Sequence, residues 1–533
     1  MTHGKSHTFP AYTAITALFM LLLPACSETK NEAPATPVIH ISFNGKVNNT
    51  GLWNVTMHGG DNTCYAQGID SACFNLTATA RYRQPVVIEK PQYISAADYQ
   101  GMSFMVWIKA TLNDPYEYTV LGQKESSEEF GTKGWSLGKS SSGSWKWWFS
   151  DGVTELAYNP TYQRQPVNDG KWHLIGFTID YSAEEARLYY DGLNVAVFCT
   201  DETSRSATVE TPYIIGCDPL STEPSAQAFN GTIDEVGVWT RTLSSEQVAL
   251  LYAQYKKPRS SGISETIPDS LVFMSWNITL GGQKEGKYVG VERVVDVIRE
   301  SNADVVAIQE VYGSGEMIAD ALGFFYYQRN PALAVASRFP LGKTYNILRK
   351  ENAGVVTVEL PKGRQLIFCP VRLNYLPDQR AYITSGIVNA DTIVVNELKT
   401  RGAEMRYILW DLQALINNSA EAPLIVAGDF NSGSHLDWTD ANRNTHYGLA
   451  VDYPASRLLS DAGFIDAYRA LYPDETLHRG ITFPLDTAEA FKDRTSIIYY
   501  IGNKLRLKSC AVISRHPNGF PSEHGAVVAA FGE

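Results

Sequence analysis

The stretch that most limits what this chain can fold into is Leu424-Ile425-Val426-Ala427-Gly428-Asp429-Phe430-Asn431. Four apolar residues in a row read as a strand buried on both faces. Gly428 is expected to free the backbone, and two polar side chains follow two positions apart. In an extended chain such residues point the same way, so Asp429 and Asn431 can reach one site. A carboxylate and an amide aimed together from a strand end suit phosphoester chemistry. The first can act as base or metal partner, the second as a neutral donor to a phosphoryl oxygen. A polar turn closing a buried strand looks the same, so the rest of the chain must decide.

Other strand ends supply the decision. Residues 271–276 read as a strand with Asn277 at its end, and residues 304–308 as one ending in Gln309-Glu310. Ser522-Glu523-His524 precedes a further apolar run at 525–531. Between them, Val291, Val294, Val295 and Ile298 fall on one helical face, and Met405, Ile408, Leu409, Leu412, Leu415 and Ile416 mark a second helix. Carboxylates converging at strand ends, with an amide and a histidine, are what a magnesium-assisted hydrolase needs.

As a set, Trp276-Asn277, Gln309-Glu310, Ala336-Ser337-Arg338-Phe339-Pro340, Gly428-Asp429-Phe430-Asn431 and Ser522-Glu523-His524 resemble the endonuclease/exonuclease/phosphatase superfamily. That superfamily includes pancreatic deoxyribonuclease, apurinic endonucleases, sphingomyelinases and inositol-polyphosphate phosphatases. The resemblance implies an α/β four-layer sandwich over residues 270–533, two β-sheets flanked by helices, with the site at one end. It implies that Asn277, Glu310 and Glu523 surround Mg²⁺ or Mn²⁺. Asp429 would orient or deprotonate water, Asn431 would bind a phosphoryl oxygen, and His524 would donate to the phosphate. Arg372, His435 and Trp438 are the implied substrate contacts.

Three departures bear on activity. Ser496, in Arg494-Thr495-Ser496-Ile497, stands where the family has an Asp paired with the histidine. Arg372 replaces a histidine found in many members, although Arg can neutralise a phosphate. Glu523 stands where Asp is usual, one methylene longer.

Residues 37–257 read differently, as short aromatic strands broken by Gly, Asn, Asp and Ser, the pattern of an all-β sandwich. Lys171-Trp172-His173-Leu174, Leu188-Tyr189-Tyr190-Asp191-Gly192 and the run from Phe229 to Trp239 resemble the laminin-G-like, or concanavalin-like, jelly-roll family. Relatives often hold a structural Ca²⁺ near the position of Asp234. Trp145, Trp147 and Trp148 offer either a sugar-stacking platform or an alternation between core and surface, and the second is the commoner arrangement. Residues 258–269, with Pro, Ser and Gly, form the linker. The first half is expected to fold alone and to dock the protein on a glycan or a partner.

At 533 residues, 44% hydrophobic, the chain suits two or three globular domains. A formal charge of -12 argues against a general nucleic-acid coat and ranks long nucleic acid below smaller esters or esters borne on a glycan or lipid. Lys5, an apolar run from Ala14 to Leu23 and Leu23-Pro24-Ala25-Cys26 resemble a bacterial lipoprotein signal, residues 1–25. Cys26 would then carry the lipid and residues 26–36 the tether. The mature protein is expected to be exported and anchored by lipid to the bacterial cell envelope, at the outer membrane. Cys64 with Cys73, and Cys199 with Cys217, are the disulfide pairs expected in an oxidising compartment. The whole reads as a multidomain, lipid-anchored, metal-dependent phosphoesterase. A surface binding protein with an impaired phosphoesterase domain is the alternative.

Overall fold

Aromatic and β-branched residues alternate with small polar ones through the first half, and the chain lays them out as two antiparallel sheets. The computed structural model describes residues 33–532 apart from 60–63, 90–98, 162, 202, 258–267, 387 and 487. The signal segment, Cys26 and most of the linker lie outside the described residues. One sheet of the first half is built on Gly101–Ala110, His173–Asp180, Glu185–Tyr190 and Gly231–Trp239. The other, 7-stranded, holds Tyr118–Ser127, Gly131–Lys139 and Trp145–Asp151. Phe104 packs on Phe177 at 4.9 Å and on Trp135 at 4.2 Å in the core between them. Trp145 and Trp147 point into that core, whereas Lys124 covers the ring of Trp148 at 4.9 Å. The tryptophans therefore alternate between core and surface. Asp191-Gly192 closes a two-residue hairpin with both residues at positive φ, as its tight twist requires. Ser244 and Gln247 form a capping box on the helix Ser245–Ala253.

The second half packs two sheets face to face. One runs Arg506–Ile513, Ala526–Gly532, Leu271–Asn277, Val305–Gln309, Leu333–Ser337, Phe325–Asn330. The 6-stranded partner centres on Arg364–Arg372, Leu424–Asp429 and Ser496–Ile501. Phe273 meets Phe368 at 5.9 Å across the apolar layer between them. Helices Val289–Glu300 and Gly315–Leu322 cover the first sheet through Val294, Ile298 and Ile318. Helices Arg401–Asn417 and Pro454–Asp461 cover the second through Met405, Ile408, Leu412 and Leu459. This is the expected four-layer sandwich.

A continuous sheet joins the two halves. Leu193–Cys199 runs parallel to Phe325–Asn330, with Ala196 opposite Tyr326 and Phe198 opposite Gln328. A single 14-stranded sheet thus crosses the junction. Arg187 Nη2 donates to the Gly342 carbonyl at 2.7 Å, and Lys350 pairs with Glu184.

The expected disulfides are absent; the six described cysteines are free thiols. Ala66 lies directly opposite Cys73, which leaves Cys64 on the diagonal, where Cα atoms stand roughly 7–8 Å apart, beyond disulfide reach. Cys199 faces the Tyr327 hydroxyl at 3.4 Å in the 14-stranded sheet, while Cys217 follows the strand Tyr213–Ile215 of the other sheet.

Candidate active site

Parallel and antiparallel pairing brings the motif residues together at one end of the sandwich. Asn277 ends its strand beside Gln309, one residue before Glu310. Asp429 ends its own, flanked by Arg372 on one side and Ser496 on the other. Gly428 has a role different from the expected one. A Cβ there would lie 2.0 Å from the Val371 carbonyl, so glycine admits the close approach of the neighbouring strand.

The centre is the side chain of Asn277. Its Nδ2 donates to Glu310 Oε1 at 3.2 Å and to Asp429 Oδ2 at 3.0 Å, so one amide bridges both carboxylates. Glu310 also accepts from the Leu280 N–H at 3.2 Å and from Arg372 Nη2 at 3.1 Å. Burial alone would raise the Glu310 pKa, but these donors hold it below the ordinary carboxylate value. Glu310 and Asn431 sit at φ 58 and 48, in the left-handed region. For a glutamate that conformation costs on the order of 1 kcal/mol or more, and such strain gathers at functional sites.

Asn431 Nδ2 donates to the Leu373 carbonyl at 2.9 Å, which leaves its second N–H for a ligand. His524 Nδ1 lies 3.9 Å from Asp429 Oδ2, and its ring stacks on Phe483 at 4.2 Å. Burial pushes the His524 pKa down, against the pull of Asp429 and Glu310. Ser496 is fully buried, with its hydroxyl unpartnered among the described residues.

Other expected site residues lie elsewhere. Glu523 turns outward to Lys284 at 3.1 Å. His435 binds the Ser456 hydroxyl through Nδ1 at 2.8 Å, and Trp438 stacks on His446 at 4.2 Å in a buried cluster. The Trp438 indole donates to Asp493, whose pKa burial and Asp437 push up to about 7. Asp493 therefore supports Trp438. Asp234 has its two oxygens on the Ile69 and Glu235 N–H groups, a backbone-tying role.

Sequence reasoning missed a buried ionic network: Arg494 joins Asp437 at 2.8 Å and Asp466 at 2.7 Å, and Arg469 joins Asp437 at 2.5 Å. Four charges in apolar surroundings are affordable only when paired, and nothing local in the sequence reveals the pairing. The network anchors the strand that begins at Ser496 to the loop that follows Asn431.

Two carboxylates, Glu310 and Asp429, and two amides, Asn277 and Asn431, thus meet at the mouth of a two-sheet sandwich. Residues 274–453 match the model of the Endonuclease/Exonuclease/phosphatase family, and residues 88–249 that of the Concanavalin A-like lectin/glucanases superfamily. The protein thus joins a laminin-G-like domain to an endonuclease/exonuclease/phosphatase domain. It is 27% identical to the uncharacterized Caenorhabditis elegans protein F14F9.5 over 301 residues, 51% of this chain and 94% of that protein. Among solved structures, truncated Caenorhabditis elegans TDP2 is similar at 18% identity and TM-score 0.36, over 50% of this chain and 98% of that one. The human Nocturnin catalytic domain is similar at 18% identity and TM-score 0.36, over 50% and 93%. The binding domain of Paraclostridial Mosquitocidal Protein 1 is similar at 16% identity and TM-score 0.35. That match covers 46% of this chain and 59% of the other.

Proposed function

We propose that the second half hydrolyses a phosphodiester or phosphomonoester by in-line attack of water, assisted by Mg²⁺ or Mn²⁺. The observation that carries this reading is the Asn277 amide bridging Glu310 and Asp429. Among the described residues no group of three or more His, Cys, Asp or Glu side chains gathers as a metal cluster. Magnesium does not need one, since it keeps most of its waters and takes one or two carboxylates beside the substrate phosphate. Glu310, with Asp429 and Asn277, fits that demand and would hold the ion. Bound there, the ion supplies charge neutralisation of the phosphate and acidifies water.

The chain's own groups do the rest. Asp429 Oδ2 accepts the proton of the attacking water, and the free N–H of Asn431 binds a phosphoryl oxygen. Arg372, within 3.1 Å of Glu310, adds positive charge on the phosphate side. His524 donates to the developing charge. The protein acts as an exported lipoprotein held by Cys26, and its first half docks it on a glycan or partner.

Assaying the full chain on bis-p-nitrophenyl phosphate, p-nitrophenyl phosphate, DNA and sphingomyelin with Mg²⁺, Mn²⁺ or Ca²⁺ tests this. Metal-dependent release from at least one ester is expected. Ser496 without a carboxylate and Glu523 turned to Lys284 favour a second reading, a binding protein with an impaired site. That reading requires no turnover on any ester.

A further inference from the structure

Arg372 meets Glu310 through Nη2 at 3.1 Å, and the reach of that long side chain depends on where its backbone stands. On one side the backbone is fixed by Asp429, its register partner. On the other side the neighbouring strand Val356–Leu360 extends only as far as Phe368, so it leaves the end of the Arg372 strand uncovered. The segment 352–354 fills that place. Ala353 bridges to Val371, the Gly354 N–H donates to the Pro370 carbonyl at 3.1 Å, and the Arg372 N–H donates to the Asn352 carbonyl at 2.7 Å. Asn352 is buried, and its Nδ2 donates to the Arg372 carbonyl at 3.2 Å. It therefore grips Arg372 by both its N–H and its carbonyl.

That segment is held in turn by the first half. The Lys350 carbonyl accepts from Arg329 Nε at 3.0 Å and from Asn330 Nδ2 at 3.1 Å. The Lys350 ammonium pairs with Glu184 and lies 3.5 Å from Asp201 Oδ1, the same oxygen that Arg329 Nη2 meets at 2.6 Å. Glu184 and Asp201 belong to the first half, and the Thr200 N–H, donating to the Glu184 carbonyl at 2.7 Å, ties their two turns together. A Cβ on Gly354 would lie 2.8 Å from Tyr327 Oη and 3.1 Å from Arg329 Cβ. The segment thus lies close on the strand that pairs with Leu193–Cys199.

Partly exposed ion pairs such as these contribute little to stability. A displacement of about 1 Å in a group that handles substrate can cost on the order of 100-fold in rate, so the network has more leverage on the site than on the fold. We propose that the laminin-G-like half takes part in the phosphoester reaction by positioning Arg372. Glu184 and Asp201 hold Lys350 and Arg329, and Asn352 passes that hold to Arg372. This role rests on the phosphoester reading above, because the charge being placed is the one on the phosphate side.

A double-mutant cycle in the full chain tests it. Glu184→Gln and Asp201→Asn, made together, keep the size of both side chains and remove the charges. The pair is expected to lower kcat/KM on bis-p-nitrophenyl phosphate with Mg²⁺ about tenfold, and to lower it no further in a chain that already carries Arg372→Gln. Asn352→Ala removes the last link and should behave the same way. Affinity for inorganic phosphate, measured calorimetrically, should weaken in the same chains and stay unchanged behind Arg372→Gln. A loss equally large in the Arg372→Gln chain overturns the inference, since the ion pairs would then serve the fold alone, and it leaves the phosphoester reading standing. Full activity of the Glu184→Gln, Asp201→Asn chain does the same. A coupled loss of phosphate affinity in a chain that turns over no ester supports the positioning and overturns the hydrolase reading. A native chain that neither turns over an ester nor binds phosphate overturns both.

Discussion

Arg329 Nη2 lies 2.6 Å from Asp201 Oδ1, across the junction where the strand Leu193–Cys199 of the first half pairs with Phe325–Asn330 of the second. The pair sits at the end of a continuous sheet, so cutting the chain between the halves exposes a strand edge rather than a linker. Residues 268–533 expressed alone are expected to self-associate through that edge, as sedimentation velocity would show. A monomeric second half with the denaturation midpoint of the full chain would sink the idea.

Asp429 accepts the Asn277 amide and lies 3.9 Å from His524 Nδ1, so its loss removes both the proton acceptor and a buried partner. Asp429→Ala is expected to lower turnover by ~100- to 10,000-fold, the usual scale for a general base. Initial rates on the best chromogenic ester measure it. Retention of more than a tenth of the rate would assign the water to another group.

Ser496 stands directly opposite Asp429 in the antiparallel register, its hydroxyl without a partner among the described residues. Ser496→Asp restores the carboxylate that the family resemblance implies behind His524, and kcat is expected to rise by up to ~100-fold. An unchanged kcat would mean that Asp429, already 3.9 Å from Nδ1, supplies the anion alone.

In the first half, burial alone would lower the His173 pKa, but Asp191 and Asp169, each 3.0 Å from a ring nitrogen, raise it above its ordinary 6.5. The folded chain then binds the proton more tightly than the unfolded one. The resulting stabilisation is full below the ordinary value and is lost as pH rises through the folded value. In urea titrations the gap between the native protein and His173→Gln should therefore be wider at about pH 5.5 than at about pH 8.5. A gap independent of pH would show that the imidazole works as a neutral hydrogen-bonding ring.

Cys26 carries the proposed anchor. Cys26→Ser is expected to move the protein from the detergent phase to the aqueous phase in Triton partitioning, since a diacylated residue holds a membrane where the bare chain does not. Retention in the detergent phase would point to a different attachment.

What the sequence determined by itself is local. Four apolar residues before Gly428, the helical spacing of Val291 to Ile298 and the Asp191-Gly192 turn each act within a few residues, so their elements could be read directly. The strand-end placing of Asn277, Glu310 and Asp429 was legible for the same reason, because side-chain direction alternates along a strand. Tertiary structure alone decided the rest. Whether Glu523 faces the carboxylates or Lys284, and whether Cys199 meets Cys217 or Tyr327, depend on partners far away in the chain. The sheet that joins the halves pairs Ala196 with Tyr326, over a hundred residues apart. Register between distant strands is set by packing of whole faces against each other. No local pattern at Leu193–Cys199 marks it as an internal strand rather than an edge.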